Sequence, residues 1–295
     1  MLGLGNTIPS NAPIPEPLIL GVHEGAAAAY SFRKLLTSYS GPCVRVKNDS
    51  GTELDIGFVS NYVDLASIAS HCGSGGGKIS IWYDQSGNGR DASQTADVRM
   101  PLIFASGSHV QIDGGYSAAR FTGSQRLLTA SAQLHSGFFY TTCVIRTNIA
   151  IGDEQIFSQD DAQSSPQVRI AQYLRTKNSS TAGRSVVFNL KGDAFGDDST
   201  SISTESKMQI SALLSGGFGS KTIETFDDSV TNGSTSVTGV PQTGSLAAAV
   251  GAAAGALSVA NAFNGHIAEL LFWGIDKSND RVDIEADVDR YYQIT

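Results

Sequence analysis

The chain has 295 residues, 32 of them glycine, with 41% hydrophobic and 16% charged side chains, against about 25% charged in an average globular protein. That composition excludes a disordered chain and disfavours a helical bundle, and the length allows one large sandwich or two smaller domains. The formal charge of −8, from 28 acidic and 20 basic residues, repels phosphate backbones, and a local basic cluster such as Arg45 with Lys47 is too small to reverse this, so no nucleic acid partner is expected.

The longest apolar stretch, Leu246 to Leu257, has 12 residues dominated by Ala and Gly, short of the roughly 18 to 20 that cross a bilayer, so no membrane insertion is expected. The opening Met1-Leu2-Gly3-Leu4-Gly5-Asn6 lacks a basic region followed by an apolar core, and so does not read as a secretory leader. Cys43, Cys72 and Cys143 form an odd set without CxxC spacing, which favours reduced thiols and assembly in a cytoplasm.

Residues 1–19 carry Pro9, Pro13, Pro15 and Pro17 among small residues, a composition for an extended, polyproline-like arm. Leu2, Leu4, Ile8, Pro9, Ile14 and Pro15 are its candidate docking contacts, and residues 20–295 form the domain behind it. From Gly25, the run from Ala26 to Leu36 is rich in good helix formers, with Tyr30, Phe32, Leu35 and Leu36 as an apolar side, and predicts a helix ending near Gly41-Pro42. A shorter helix is expected over Val63–His71, stopped by Gly73-Ser74-Gly75-Gly76-Gly77, and that glycine run reads as a flexible connection.

Strands are expected at Val44–Val46, Lys78–Tyr83, Ala118–Phe121, Phe138–Arg146, Gln155–Ser158, Val168–Leu174, Ser185–Leu190, Met208–Leu214, Lys221–Phe226 and His266–Trp273. They are short, rich in β-branched and aromatic residues, and separated by turn clusters such as Asn178-Ser179-Ser180 and Thr231-Asn232-Gly233. Such spacing belongs to a sandwich or barrel. His266–Trp273 is apolar on both faces apart from His266 and Glu269, as in a strand buried between layers. Asn279–Tyr292 then reads as a closing helix with an Asn or Asp cap.

Two stretches carry a family pattern. Ala29–Pro42, Val44-Arg45-Val46, Asp55-Ile56-Gly57-Phe58 and Trp82-Tyr83-Asp84-Gln85-Ser86-Gly87-Asn88-Gly89 together resemble the start of the α-L-arabinofuranosidase B catalytic domain. Phe263–Trp273 with the closing helix resembles the C-terminal strand of concanavalin A-like, laminin-G-like jelly rolls. The resemblance implies an all-β, two-sheet concanavalin A-like jelly-roll sandwich. The enzyme family pairs a Glu nucleophile with an Asp acid and carries a vicinal cysteine pair. This chain has no adjacent cysteines and no later segment that aligns with those catalytic motifs, so no catalytic role is transferred. Trp82 to Ala92, together with the opening residues, also resembles sandwich modules of tailed-bacteriophage virion proteins.

Glycoside hydrolysis needs two carboxyl groups, about 5 to 5.5 Å apart for retention or 6.5 to 9.5 Å for inversion. Asp84, Asp153, Glu154, Asp160, Asp161 and Glu269 are the candidates, although loop carboxylates are commonly turn formers and Glu269 sits on a strand where a structural hydrogen bond is the commoner role. Asp84, Ser86 and Asn88 fall at positions one, three and five of a calcium-like loop, but Thr95 stands where the bidentate Glu belongs. Asp84 and Asn88 instead suit side-chain-to-backbone turns, with Gly87 and Gly89 supplying positive φ. Calcium is thus possible but no cofactor is expected. Trp82, Tyr83, Asp84, Gln85 and Asn88 are candidate glycan contacts, the two aromatics as a stacking platform. The five histidines lack zinc-ligand spacing.

These features lead to an expected structural component of a phage virion. It would be assembled in the host cytoplasm, docked through its arm onto other virion proteins and copies of itself, and able to hold a host-surface glycan. The alternatives are an arabinofuranosidase-type glycoside hydrolase and a free carbohydrate-binding module.

Overall fold

The computed structural model describes residues 18–132, 134–135, 137–147, 153–160, 169–178, 181–190, 194–196, 206–217, 220–237, 247–252, 254 and 262–294. The expected docking residues Leu2, Leu4, Ile8, Pro9, Ile14 and Pro15 lie outside this set. The main strands are β1 (Ala26–Ser31), β2 (Val44–Asn48), β3 (Glu53–Ile56), β4 (Gly77–Trp82), β5 (Leu102–Ala105), β6 (Ala119–Thr122), β7 (Phe139–Thr147) and β8 (Asp153–Asp160). They continue with β9 (Arg169–Asn178), β10 (Thr181–Leu190), β11 (Met208–Gly217), β12 (Ser220–Asp227), β13 (Val230–Val237), β14 (Ala248–Val250) and β15 (Asn264–Trp273). The two longest helices, α1 (Leu65–Cys72) and α2 (Arg281–Tyr292), complete the frame.

Every pairing between these strands is antiparallel, and β15 is the spine of one layer. On one edge β1 pairs with its second half, from Ala26 opposite Trp273 to Ser31 opposite Glu269. β6 pairs with its first half, from Ala119 opposite Ile267 to Thr122 opposite Asn264. β7 runs along the other edge, and β11, β12 and β13 follow in order. The second layer takes β3, β2 and β4, passes through the short pairings of Ala92–Ser93 and Leu127–Leu128, and continues with β14, β8, β9 and β10. β5 pairs with both β4 and β6 and so links the layers.

One apolar cluster fills the space between the layers, drawing Val44, Val46, Ile79 and Trp82 from one and Cys143, Ile210, Leu270 and Phe272 from the other. Phe157 meets Phe272 across it at 5.3 Å between ring centroids, a tilted contact typical of buried aromatic pairs. A second cluster lies outside the first layer, where Ile284, Val288 and Tyr292 of α2 cover Ala268, Leu271 and Trp273 of β15. β15 is thus apolar on both faces because each is covered, one by the opposite layer and one by the helix. Leu18, Ile19 and Leu20 are also buried, and Leu20 N–H donates to the Leu35 carbonyl at 3.0 Å.

The expected helix at Ala26–Leu36 is a strand instead. Its first six residues form β1, all buried, and the four alanines leave room for a loop to approach the main chain. Tertiary pairing with β15 and that loop overrides the helix propensity of alanine. The other two expected helices are present within two residues of their expected starts, α1 with Asp64 as its cap, accepting from Ser67 N–H at 3.0 Å. Each of the ten expected strands coincides with an observed one. Gly77, expected in a flexible connection, belongs to β4, where an added Cβ would lie 2.6 Å from the Cys72 sulfur.

Candidate functional site

The segment from Trp82 to Asp91 turns back over β1. Gly87 and Gly89 take φ values of 86° and 67°, the left-handed region in which glycine carries no Cβ penalty. Asp84 organises the turn from its centre. Its Oδ1 accepts from Ala29 N–H and Ser86 N–H, both at 2.9 Å, and its Oδ2 accepts from the Ser86 hydroxyl at 2.7 Å and Arg90 N–H at 3.0 Å. The buried carboxylate is thereby satisfied by protein donors, as a buried charge requires. Asn88 turns its amide nitrogen onto the Ala26 carbonyl at 2.8 Å. Ser86 spends its hydroxyl proton on Asp84, so this loop is stapled to β1 and does not gather three oxygens around a cation. Among the described residues no group of three or more His, Cys, Asp or Glu side chains is placed to hold a metal ion.

The candidate contacts separate. Trp82 is fully buried and stacks on Phe32 at 4.7 Å, so it cannot face a sugar. Gln85 is equally buried: its amide donates to the carbonyls of Ser31 and Arg33 at 3.0 Å, and its oxygen accepts from Leu35 N–H at 2.9 Å. Tyr83 is half-buried and its hydroxyl donates to Asp55 at 2.7 Å. The Arg45 guanidinium bonded to that carboxylate holds Asp55 below the usual range, with Tyr83 adding to the effect. The expected aromatic platform is therefore not built, because alternate strand residues face opposite sides. Asn88, exposed, and Ser86 reach an open space.

That space is a cleft of about 430 Å³ formed by three segments. Gly25, Ala26 and Ala27 supply one, Ser86, Asn88 and Arg90 the second, and Leu134-His135 beside Gly274-Ile275 the third. Gly274 fixes the third: a Cβ there would lie 2.0 Å from the Leu134 carbonyl oxygen, so the chain leaving β15 passes hard against residues 134–135. His135 Nδ1 accepts from Gly137 N–H at 3.2 Å, which orients the ring. Ile275 is 43% exposed and gives the cleft an aliphatic side. Its lining carries a hydroxyl, an amide, a guanidinium and an imidazole beside one aliphatic group. The Ser86 hydroxyl proton, the Asn88 amide nitrogen and Arg90 Nη1 are held by Asp84 and the Ala26 and Ala27 carbonyls, which leaves the remaining oxygens and guanidinium donors to meet a hydroxyl-bearing ligand. The volume lies within the roughly 300–1,000 Å³ of small-ligand sites. A second cavity, beside Tyr62, Tyr116 and Tyr291, holds about 30 Å³, room for about one water molecule.

Of the carboxyl candidates for hydrolysis whose side chains are described, Glu154 and Glu269 do not line this cleft. Glu269 is buried in an ion pair: Arg33 Nε and Nη2 donate to its two oxygens at 2.8 Å, and the Ser31 hydroxyl donates at 2.6 Å. Arg33 also reaches Asp287 of α2 at 2.8 Å, so the pair ties β1, β15 and the helix together. Glu154 is buried and accepts from Asn264 N–H at 3.4 Å. The side chains of Asp153 and Asp160, and Asp161 altogether, lie outside the described part. Asp91, which accepts from Asp84 N–H at 2.9 Å, has its carboxyl raised above the usual range by burial, with the Asp84 charge acting in the same sense. His135, Gly274 and Ile275 were not foreseen as site residues; they are far from the loop in sequence, and only the Asn88 and Ser86 positions marked this end of the domain.

No sequence family matches the chain, and no curated protein does. Solved structures do. An arabinofuranosidase complexed with arabinofuranosyl-α-1,2-xylobiose superposes with a TM-score of 0.69 at 16% identity, covering 92% of this chain and 64% of the other. A GH54 α-L-arabinofuranosidase soaked with a cyclic sulfate inhibitor gives the same TM-score, identity and coverage. A mutant of a GH54 α-L-arabinofuranosidase soaked with 4-nitrophenyl α-L-arabinofuranoside matches at 18% identity with the same TM-score and coverage. The chain thus spans 64% of the length of these proteins. The likeness overturns the expectation of a phage structural component: over nearly its whole length the chain follows the fold of arabinofuranosidases. The chain is an all-β sandwich with the fold of these arabinofuranosidases.

Proposed function

We propose that the chain is a carbohydrate-recognising sandwich that takes a neutral, pentose-containing oligosaccharide in the cleft between the 86–90 loop, His135 and Ile275. The observation that carries this reading is the lining itself: polar donors and acceptors beside an exposed aliphatic side chain, with no carboxylate among the described lining residues. Such a surface hydrogen-bonds sugar hydroxyls and packs against a C–H face without the pair of facing carboxyl groups that hydrolysis requires. The likeness in fold to arabinofuranosidases supports the choice of pentose.

The same likeness favours a second reading, hydrolysis of the arabinofuranosidase type, for which Asp153, Glu154, Asp160 and Asp161 are the acidic groups to neutralise. Calorimetric titration of the full chain with arabinofuranosyl-α-1,2-xylobiose, followed by assay of the mixture for free arabinose, separates the two. Saturable binding that weakens about ten-fold, equivalent to ~1.4 kcal/mol, in Ile275→Asp and His135→Ala, with no arabinose released, is the expected result. Release of arabinose that stops in one of the four carboxyl variants would establish the second reading. Absence of both binding and release would remove the first.

A further inference from the structure

Far from the cleft, at the opposite end of β15, four basic side chains that are scattered in the sequence meet on one sheet face. Arg120 on β6 is the direct partner of His266 on β15, and His266 is the direct partner of Arg146 on β7. Direct cross-strand partners share a face. The intervening residues Phe121, Ile267 and Ile145 belong to the core between the layers, so the three basic groups stand on the outer face. Lys207 continues the row: it precedes Met208, the partner of Ile145, and its ammonium lies 4.9 Å from the Tyr116 ring centroid.

Against these groups stands Asp113, whose carboxylate is 3.8 Å from Arg146 Nε and accepts from Lys207 N–H at 2.9 Å. Such an accumulation is unexpected in a chain of net charge −8. One further observation points to a missing negative partner: beside His266, which is 7% exposed, the buried Nε–H of Arg120 has no acceptor among the described residues, a costly arrangement for a charged donor.

We propose that the row Arg120–His266–Arg146–Lys207 is a binding site for an oxyanion carried by an acidic polysaccharide, a carboxylate or a sulfate ester. An arginine guanidinium presents donors in a plane that matches either group, and spacing of about 4.8 Å between strands sets successive donors along an extended polymer. The site lies seven residues along β15 from Trp273, about 23 Å from the cleft end of the strand. It rests on the carbohydrate reading only for the polymer that carries the anion.

The test is NMR titration of the full chain with tetragalacturonate in one arm and a sulfated galactose tetrasaccharide in the other, following the His266 ring and the Arg120 Nε–H resonance. Saturable shifts at both groups in either arm, an upward move of the His266 titration midpoint when ligand is bound, and affinity reduced at least ten-fold in Arg120→Gln are expected. The arm that binds identifies the anion. A charge-conserving Arg120→Lys variant, without the planar fork, should restore part of the affinity. Absence of saturable shifts in both arms, or binding undiminished in Arg120→Gln, would overturn the proposal. Neither result touches the neutral-sugar cleft, whose ligand and residues are different.

Discussion

Removing the guanidinium of Arg33 tests the assignment of Glu269 to structure. Arg33 and Glu269 are 2% and 1% exposed, joined by two parallel hydrogen bonds of 2.8 Å, and Arg33 adds a bond of 2.8 Å to Asp287. Burial alone would lower the Arg33 pKa, but Glu269 and Asp287 outweigh it and the net direction is upward. Arg33→Met leaves Glu269 desolvated with only the Ser31 and Tyr292 hydroxyls as donors. Loss of one partner of a buried ion pair costs about 3–5 kcal/mol. At about 2–4 °C per kcal/mol for domains of this size, the melting temperature should fall by roughly 6–20 °C. Arg33→Met with Glu269→Leu removes both charges and should recover most of that loss, because the pair's attraction is largely offset by its desolvation. Urea unfolding of wild type, both single variants and the double variant closes the cycle. A single-variant cost below about 1 kcal/mol, or a double variant no more stable than the worse single, would refute the structural role.

Asp84→Asn replaces an acceptor of four hydrogen bonds with a group that accepts through one oxygen; it should cost about 2–3 kcal/mol by chemical denaturation and speed amide exchange at Ala29, Ser86 and Arg90. Gly274→Ala would drive a Cβ to 2.0 Å from the Leu134 oxygen, and a loss above about 3 kcal/mol, with reduced sugar binding, is expected. His266 is pushed from 6.5 down to about 4 by burial first, then by Arg146 and Arg120, with a main-chain hydrogen bond to Arg146 and the Asp113 charge acting the other way. The unfolded chain therefore binds the extra proton between these values. His266 contributes its full stability above pH 6.5 and loses it as pH falls toward 4, about 3 kcal/mol in all. Urea midpoints at pH 7.5 and 4.5 should converge for wild type and His266→Gln as the pH is lowered, relative to their separation at high pH; a constant separation would contradict the sign.

The sandwich was legible because its strands alternate β-branched and aromatic residues with turn clusters, and because both covers of β15 show in its doubly apolar run. The alanine run at 26–29 misled for a physical reason: small side chains favour a helix in isolation but here admit the Asp84 turn against a strand, a long-range fact absent from any local window. The pattern Trp82 to Gly89 marked the correct turn, yet strand alternation sends Trp82 into the core and Gln85 under β1, leaving Asn88 at the cleft. His135 and Ile275 join it through the close approach at Gly274, which no spacing in the sequence announces. The basic row was hidden similarly. Arg120, Arg146, Lys207 and His266 are distant along the chain, and only the register of β6, β15, β7 and β11 makes them neighbours.

The 430 Å³ cleft is proposed to recognise a neutral sugar. Amide chemical-shift mapping of the full chain during titration with arabinofuranosyl-α-1,2-xylobiose addresses it most directly. Saturable shifts centred on Asn88, Arg90, His135, Gly274 and Ile275 are predicted; saturable shifts centred elsewhere, or none at millimolar ligand, would contradict it.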